Sequence, residues 1–165
     1  MRSGIFLSGL ILGFVALASA PALAQDRYTQ FVCHLSGTHE VPAISTPAAE
    51  GICAALISDD ESSINVIALY SGLQGTALQA HFHIGQSGVN GGIVIHLCGS
   101  GGKAACPAAG TLNMTVGAAD VVALPAQGIE AGELAEVIRA IRRGLVYMNV
   151  HTDVFPGGEV RGQLQ

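Results

Sequence analysis

Leu78-Gln79-Ala80-His81-Phe82-His83-Ile84 alternates between apolar and polar side chains. Successive side chains of a β-strand point to opposite sides, so Leu78, Ala80, Phe82 and Ile84 share one face and Gln79, His81 and His83 share the other. The stretch predicts a strand that buries its apolar face and turns both imidazoles away from the core. Two residues apart on one face, the two histidines stand roughly 6 to 7 Å apart at their backbones. From there both rings can reach one metal ion at about 2 Å.

Similar runs lie on both sides of this one. Gln30–Ser36, 51–58, Ser63–Ser71, Gly92–Cys98, 110–116, 144–152 and 159–164 are short, rich in β-forming residues and separated by glycine, proline, serine and aspartate. With 78–84 they make eight predicted strands in one domain, an all-β plan of the Greek-key sandwich or barrel type. One segment departs from it. Across residues 131–143, Leu134, Val137, Ile138 and Ile141 recur at the spacing of one helical face, and Gly144 supplies a stop. This predicts one short helix over an end of the sandwich, with Arg139, Arg142 and Arg143 as its solvated face and favourable C-terminal charges. Gly85, Gly88, Gly91 and Gly92 with Asn90 form a loop that leads into a strand, so it lacks the helix N-terminus that a phosphate cradle needs.

Half of the 165 residues are hydrophobic and only 12% are charged, against about 25% in an average soluble protein, which excludes charge-driven disorder. A net charge of -5, with no basic patch beyond Arg139, Arg142 and Arg143, excludes a nucleic-acid partner. Residues 1–24 read as a signal peptide: Arg2, an apolar run over 5–18, then Ala22-Leu23-Ala24 before Gln25. The alternative is an uncleaved anchor, since the apolar run approaches the roughly 20 residues that span a bilayer. Cleavage leaves residues 25–165 as a periplasmic or secreted domain with no membrane span. In an oxidising compartment the four cysteines pair. Of three connectivities, Cys33 with Cys53 joins adjacent predicted strands, and Cys98 with Cys106 staples the glycine-rich segment between them.

Two more strands carry the pattern of the opening stretch. Val146, Met148 and Val150 alternate with Tyr147, Asn149 and His151, and Val160, Gly162 and Leu164 with Glu159, Arg161 and Gln163. If the three strands are neighbours, His81, His83, His151 and Arg161 share one polar outer face. These surface histidines then form a candidate metal site, with His96 as a further ligand or as a histidine satisfied beside a disulfide. His34 and His39 read as ordinary surface histidines. Neutral imidazoles without nearby carboxylates or thiolates lean toward copper, as Cu(II), with zinc as the second choice. Tyr147 and Asn149 stand where they can orient an imidazole, and Glu159 lies beside Arg161 as a candidate carboxylate partner. No serine has a nucleophile-elbow context, which argues against a hydrolase.

The segments Gly37-Thr38-His39-Glu40-Val41-Pro42, Ala80-His81-Phe82-His83-Ile84-Gly85, Tyr147-Met148-Asn149-Val150-His151-Thr152 and Pro156-Gly157-Gly158-Glu159-Val160-Arg161-Gly162-Gln163-Leu164 occur in this order. Together they resemble the markers of the CHRD (chordin) domain, over nearly all of residues 25–165. The resemblance implies an extracellular or periplasmic β-sandwich of the kind found in bacterial secreted proteins and in animal antagonists of bone-morphogenetic growth factors. The histidine order also resembles that of copper-zinc superoxide dismutase, a Greek-key sandwich. That likeness implies His81, His83, His96 and His151 as copper ligands and Arg161 as a catalytic arginine guiding superoxide or another small anion. No zinc-binding loop follows His83, so it implies a copper-only site. Two functions are therefore expected: a single copper ion held for copper handling or dismutase-like redox chemistry, or a metal-independent module that engages an envelope or extracellular protein.

Overall fold

The computed structural model describes residues 29–45, 48–108 and 110–165; the predicted signal peptide, residues 1–24, lies outside them. Within that range the chain forms β1 (Gln30–Ser36), β2 (Glu50–Ile57), β3 (Ser63–Ser71), β4 (Ala77–Ile84), β5 (Gly92–Cys98), β6 (Gly110–Gly117), α1 (Leu134–Arg142), β7 (Val146–Thr152) and β8 (Val160–Gln163). The expected all-β plan of eight strands and one helix is borne out. The turn between β2 and β3 shows how the polar clusters act. The Asp60 carboxylate accepts hydrogen bonds from the hydroxyls of Ser58 (2.7 Å) and Ser62 (2.8 Å) and from the Ser62 amide (3.1 Å). These bonds, those of Ser58 first, hold its carboxyl at about 2.

All strand pairs are antiparallel, in the order β5-β4-β7-β8-β1-β2-β3-β6. The neighbours β4 with β7, β8 with β1, and β3 with β6 are distant in sequence, so the connections cross over as in a Greek key. The β8–β1 seam joins the two halves. There Ser36 pairs with Arg161, and the backbones of Val32 and Gln165 exchange two 2.9 Å hydrogen bonds. Gly162 is required at this seam, because a Cβ on it would meet the His34 carbonyl at 2.5 Å and the Cys33 sulfur at 2.8 Å. At the far edge, the Val122 amide donates to the Val94 carbonyl at 2.9 Å and Val121 bridges to Ile95, which brings the sheet close to a closed barrel.

Phe31, Leu35, Ala55, Val66, Phe82, Met148, Val150 and Val160 line the interior, each from the apolar side of its strand. Helix α1 buries Leu134, Val137, Ile138, Ala140 and Ile141. It starts later than predicted because Gly132, at φ 85°, turns the chain just before it. Of its arginines, Arg139 pairs with Glu136 and Arg142 with Glu61. No helix among the described residues is long and apolar enough to cross a membrane. Both expected disulfides are present: Cys33 and Cys53 face each other in the β1–β2 register, and Cys98 joins Cys106 across the loop that follows β5.

The two faces of the sheet are covered differently. On β1 buried and exposed residues alternate, whereas on β4 every residue from Ala80 to Ile84 is buried, and on β7 every residue but His151. Loops close over the polar face of β4, β7 and β8. Phe82 is fully buried at the centre of the apolar face, whereas Val32 is 62% exposed on β1. Phe82→Ala is expected to cost about 3 to 5 kcal/mol in urea unfolding, and Val32→Ala about 0.5 kcal/mol or less. Equal losses would show that the apolar face of β4 is not the core.

Candidate metal centre

The strand order makes β4, β7 and β8 neighbours, and their register places the polar residues in rows. His81 stands opposite Asn149, which stands opposite Arg161; His83 stands opposite Tyr147, which stands opposite Gln163; and Gln79 stands opposite His151. The shared polar face expected from the sequence therefore exists. The expectation that these are surface histidines is corrected: His81 is 1% and His83 8% exposed, and Arg161, Tyr147 and Asn149 are buried as well. The cause is the cover. Residues 85–91, 99–104 and 153–158 fold onto this face and bring backbone and hydroxyl groups to the imidazoles, and residues 37–44 bring the Glu40 carboxylate to Asn149.

Each ring of the trio has one nitrogen tied outward. The Nδ1–H of His83 donates to the Gly91 carbonyl (3.1 Å), and the Nδ1–H of His151 donates to the Pro156 carbonyl (2.9 Å). Nε2 of His81 lies 2.8 Å from the Ser100 hydroxyl. The remaining nitrogens converge. His81 Nδ1 and His151 Nε2 are 3.1 Å apart, and one nitrogen from each of His81, His83 and His151 lies within 4.8 Å of the others. Ligands about 2.0 to 2.1 Å from a tetrahedral ion are separated by roughly 3.3 Å, so the trio is a group that could hold one metal ion. His83 Nε2 is buried without a hydrogen-bond partner.

Two loops that the sequence marks only as glycine-rich supply the anchors of His83 and His81. Gly91 acts twice: its carbonyl accepts from His83 and its amide donates to the Tyr147 hydroxyl at 3.1 Å. The 99–104 loop brings Ser100 between two imidazoles, since the same hydroxyl lies 2.8 Å from His96 Nδ1. Gly101, at φ 58°, crosses the His96 ring so closely that a Cβ would sit 2.5 Å from ring carbons. His96 is thus outside the trio, linked to it through Ser100. His39, read as a surface histidine, places Nδ1 3.2 Å from the carbonyls of His34 and Arg161.

Arg161 is held differently from the expectation. Its guanidinium donates to Asn90 Oδ1 (3.2 Å) and to the carbonyls of Gln86 (3.3 Å) and Val89 (2.8 Å), and it lies 3.4 Å over the Tyr147 ring. The expected pairing with Glu159 does not form. Amides in the β3–β4 connection claim that carboxylate instead: it accepts from Gln74 (2.6 Å), Gly75 (3.4 Å) and the Thr152 hydroxyl (2.8 Å). Tyr147 stacks on His83 at 4.8 Å with 5° between the planes. Asn149 donates to both oxygens of Glu40, at 3.0 and 3.1 Å. Ser100, Gly91, Pro156 and Glu40 are partners that strand alternation does not reveal, because each lies on a loop.

Burial is the main reason the histidines resist protonation. It lowers His81 to about 3, helped by the charges that His151, His83 and His96 would carry, and lowers His83 to about 4 against the Gly91 hydrogen bond. His151 is lowered by burial too. All three imidazoles are neutral near pH 7, the form that binds metal. Burial raises Glu40 to about 7 although Arg161 and Asn149 favour its charged form.

In metal-free protein these shifts act in opposite directions. The stability contributed by His81 and His83 is complete above 6.5 and is lost as the pH falls toward about 4 and about 3; that from Glu40 is complete below 4.5 and is lost as the pH rises through about 7. Two histidines outweigh one acid, so stability is expected to fall from pH 6.5 to pH 4. Glu40→Gln should steepen that fall and His83→Gln should flatten it. Urea midpoints across this range test the signs.

The CHRD domain family matches residues 31–164. No curated protein and no solved structure matches the chain. The match spans every strand from β2 to β8, nearly all of β1, and the whole histidine face. The match and the two disulfides are consistent with an extracellular location. With four ordered motifs and an eight-stranded barrel-like sheet behind that match, the chain belongs to the CHRD domain family.

Proposed function

We propose that His81, His83 and His151 hold a single copper ion and that the protein handles copper outside the cytoplasm. The observation that carries this reading is the buried, partnerless Nε2 of His83 beside His81 Nδ1 and His151 Nε2. A buried polar nitrogen without a partner costs stability. His81 Nδ1 and His151 Nε2 have only each other, at 3.1 Å, and three rings held this close, each fixed from behind, are the arrangement that a metal site uses to orient its ligands. The donor set favours copper over zinc: it is neutral imidazole alone, and the four cysteines are used in disulfides. Zinc remains the competing ion.

Copper handling fits the geometry better than dismutation. An anion-guiding arginine presents its charge at an open coordination position. Arg161 is 2% exposed and its guanidinium is engaged by Asn90, Gln86, Val89 and the Tyr147 ring. The metal-independent reading has one observation behind it. Val32, Ile52 and Leu69 are exposed on the outer face of β1, β2 and β3, strands that carry none of the trio, and form an apolar surface suited to an extracellular protein partner.

Titration of metal-free protein with copper decides between the two readings. One ion per chain is expected, with His83→Ala and His151→Ala each abolishing stoichiometric binding. Ser100→Ala leaves all three ligands in place and removes only an anchor, so it should weaken binding roughly 10- to 100-fold. Unchanged affinity in His83→Ala would leave the binding-module reading. Elemental analysis of protein isolated from its own compartment, without an affinity histidine tag, should find copper.

A further inference from the structure

The metal reading leaves the buried cation next to the trio unexplained. Strands β4 and β8 flank β7 on opposite sides, so Tyr147 is sandwiched: His83 stacks on it from β4 and the Arg161 guanidinium covers it from β8. A cation over an aromatic face is attracted by the ring, and its field passes on to whatever lies beyond, here a candidate ligand. The trio itself brings no negative charge to offset a bound ion. Negative charge enters from farther back, where Glu40, whose carboxyl holds Asn149, faces Arg161 as its partial counter-charge.

We propose that the Arg161–Tyr147–His83 column makes the centre selective for a monovalent ion, Cu(I), over the divalent ions Zn(II) and Cu(II), with Glu40 opposing Arg161. The proposal rests on the trio being a metal centre. Its physical basis is the number of charges. A divalent ion in a buried all-neutral site meets twice the repulsion from Arg161 that a monovalent ion meets, and it loses more hydration on entry. With an effective dielectric near 20 and a separation of about 10 Å, the extra unit of charge amounts to roughly a tenfold loss of affinity. Arg161 is then a specificity-determining residue that never touches the ion, and its burial, which unsuits it to guiding anions, is what makes its field strong.

The test uses the metal-free chain after signal removal, as wild type, Arg161→Gln and Glu40→Gln. Affinities for Cu(I), measured without oxygen, and for Zn(II) are obtained by competition with chromogenic chelators at pH 7. Wild type should prefer Cu(I). Arg161→Gln should lower the Cu(I)-to-Zn(II) affinity ratio about tenfold and shift the copper midpoint potential down by about 59 mV, the same factor for a one-electron couple. Glu40→Gln, nearly isosteric, should raise the ratio by roughly threefold, since only part of the Glu40 population is ionised near neutral pH. If Arg161→Gln fails to fold, Glu40→Gln decides alone. A ratio unchanged in the folded variants overturns the proposal while leaving the metal centre intact. Wild type that binds neither ion overturns the metal centre itself.

Discussion

A polar sheet face that is buried must find its hydrogen bonds inside the protein, and that constraint organises one side of this molecule. His81, His83, Tyr147, Asn149 and Arg161 are all on one face of β4, β7 and β8, and all are under 9% exposed. Leaving such groups unpaired costs about 1 to 3 kcal/mol each, more for a charge. The loops over this face answer the demand with carbonyls from Gln86, Val89, Gly91 and Pro156, the Ser100 hydroxyl and the Glu40 carboxylate. Against that background of satisfaction the exceptions carry information. Among the described residues, His83 Nε2, Asn149 Oδ1 and Gln163 Oε1 are buried without a partner, and the first belongs to the histidine trio.

The sheet was legible because its alternation is local. Each strand shows its apolar side in four to nine residues, and three of the predicted strands, 30–36, 63–71 and 92–98, have the observed bounds. The convergence of His81, His83 and His151 was legible as well, given one assumption about neighbours, since period two fixes which side chains share a face. The cover was not. Whether a polar face meets water or a loop depends on connections that cross the sheet, and nothing in Gly99-Ser100-Gly101 says that its hydroxyl reaches a strand 19 residues earlier. The same limit explains Glu159. Proximity in sequence suggested Arg161 as its partner, while the unpaired amides of Gln74 and Gly75, on a crossover more than 80 residues away, bind it instead.

The glycines and the second disulfide belong to the same design problem. A loop can lay a carbonyl or hydroxyl against a buried ring only if its own backbone comes close, and Gly101 over His96 and Gly158 over Asn149, at φ 58° and 125°, are places where a side chain would collide or the backbone would be strained. Such loops have few contacts of their own to hold them. Cys98 and Cys106 fix both ends of the segment that carries Ser100, so the anchor for His81 depends on an oxidising environment as much as on packing.

That dependence ties the fold to its setting. Without the disulfide the 99–104 loop would be held by backbone bonds such as Gly99 to Ala104, by the Lys103–Asp120 pair and by the two contacts of the Ser100 hydroxyl itself. Ser100 would then be held less firmly between His81 and His96, and the ring orientation that turns His81 Nδ1 inward would lose part of its support. The orientation of the three imidazoles has little redundancy, because each ring is tied outward through one nitrogen. The covering loops therefore orient the three imidazoles, and the disulfide that ties one of those loops contributes to that orientation.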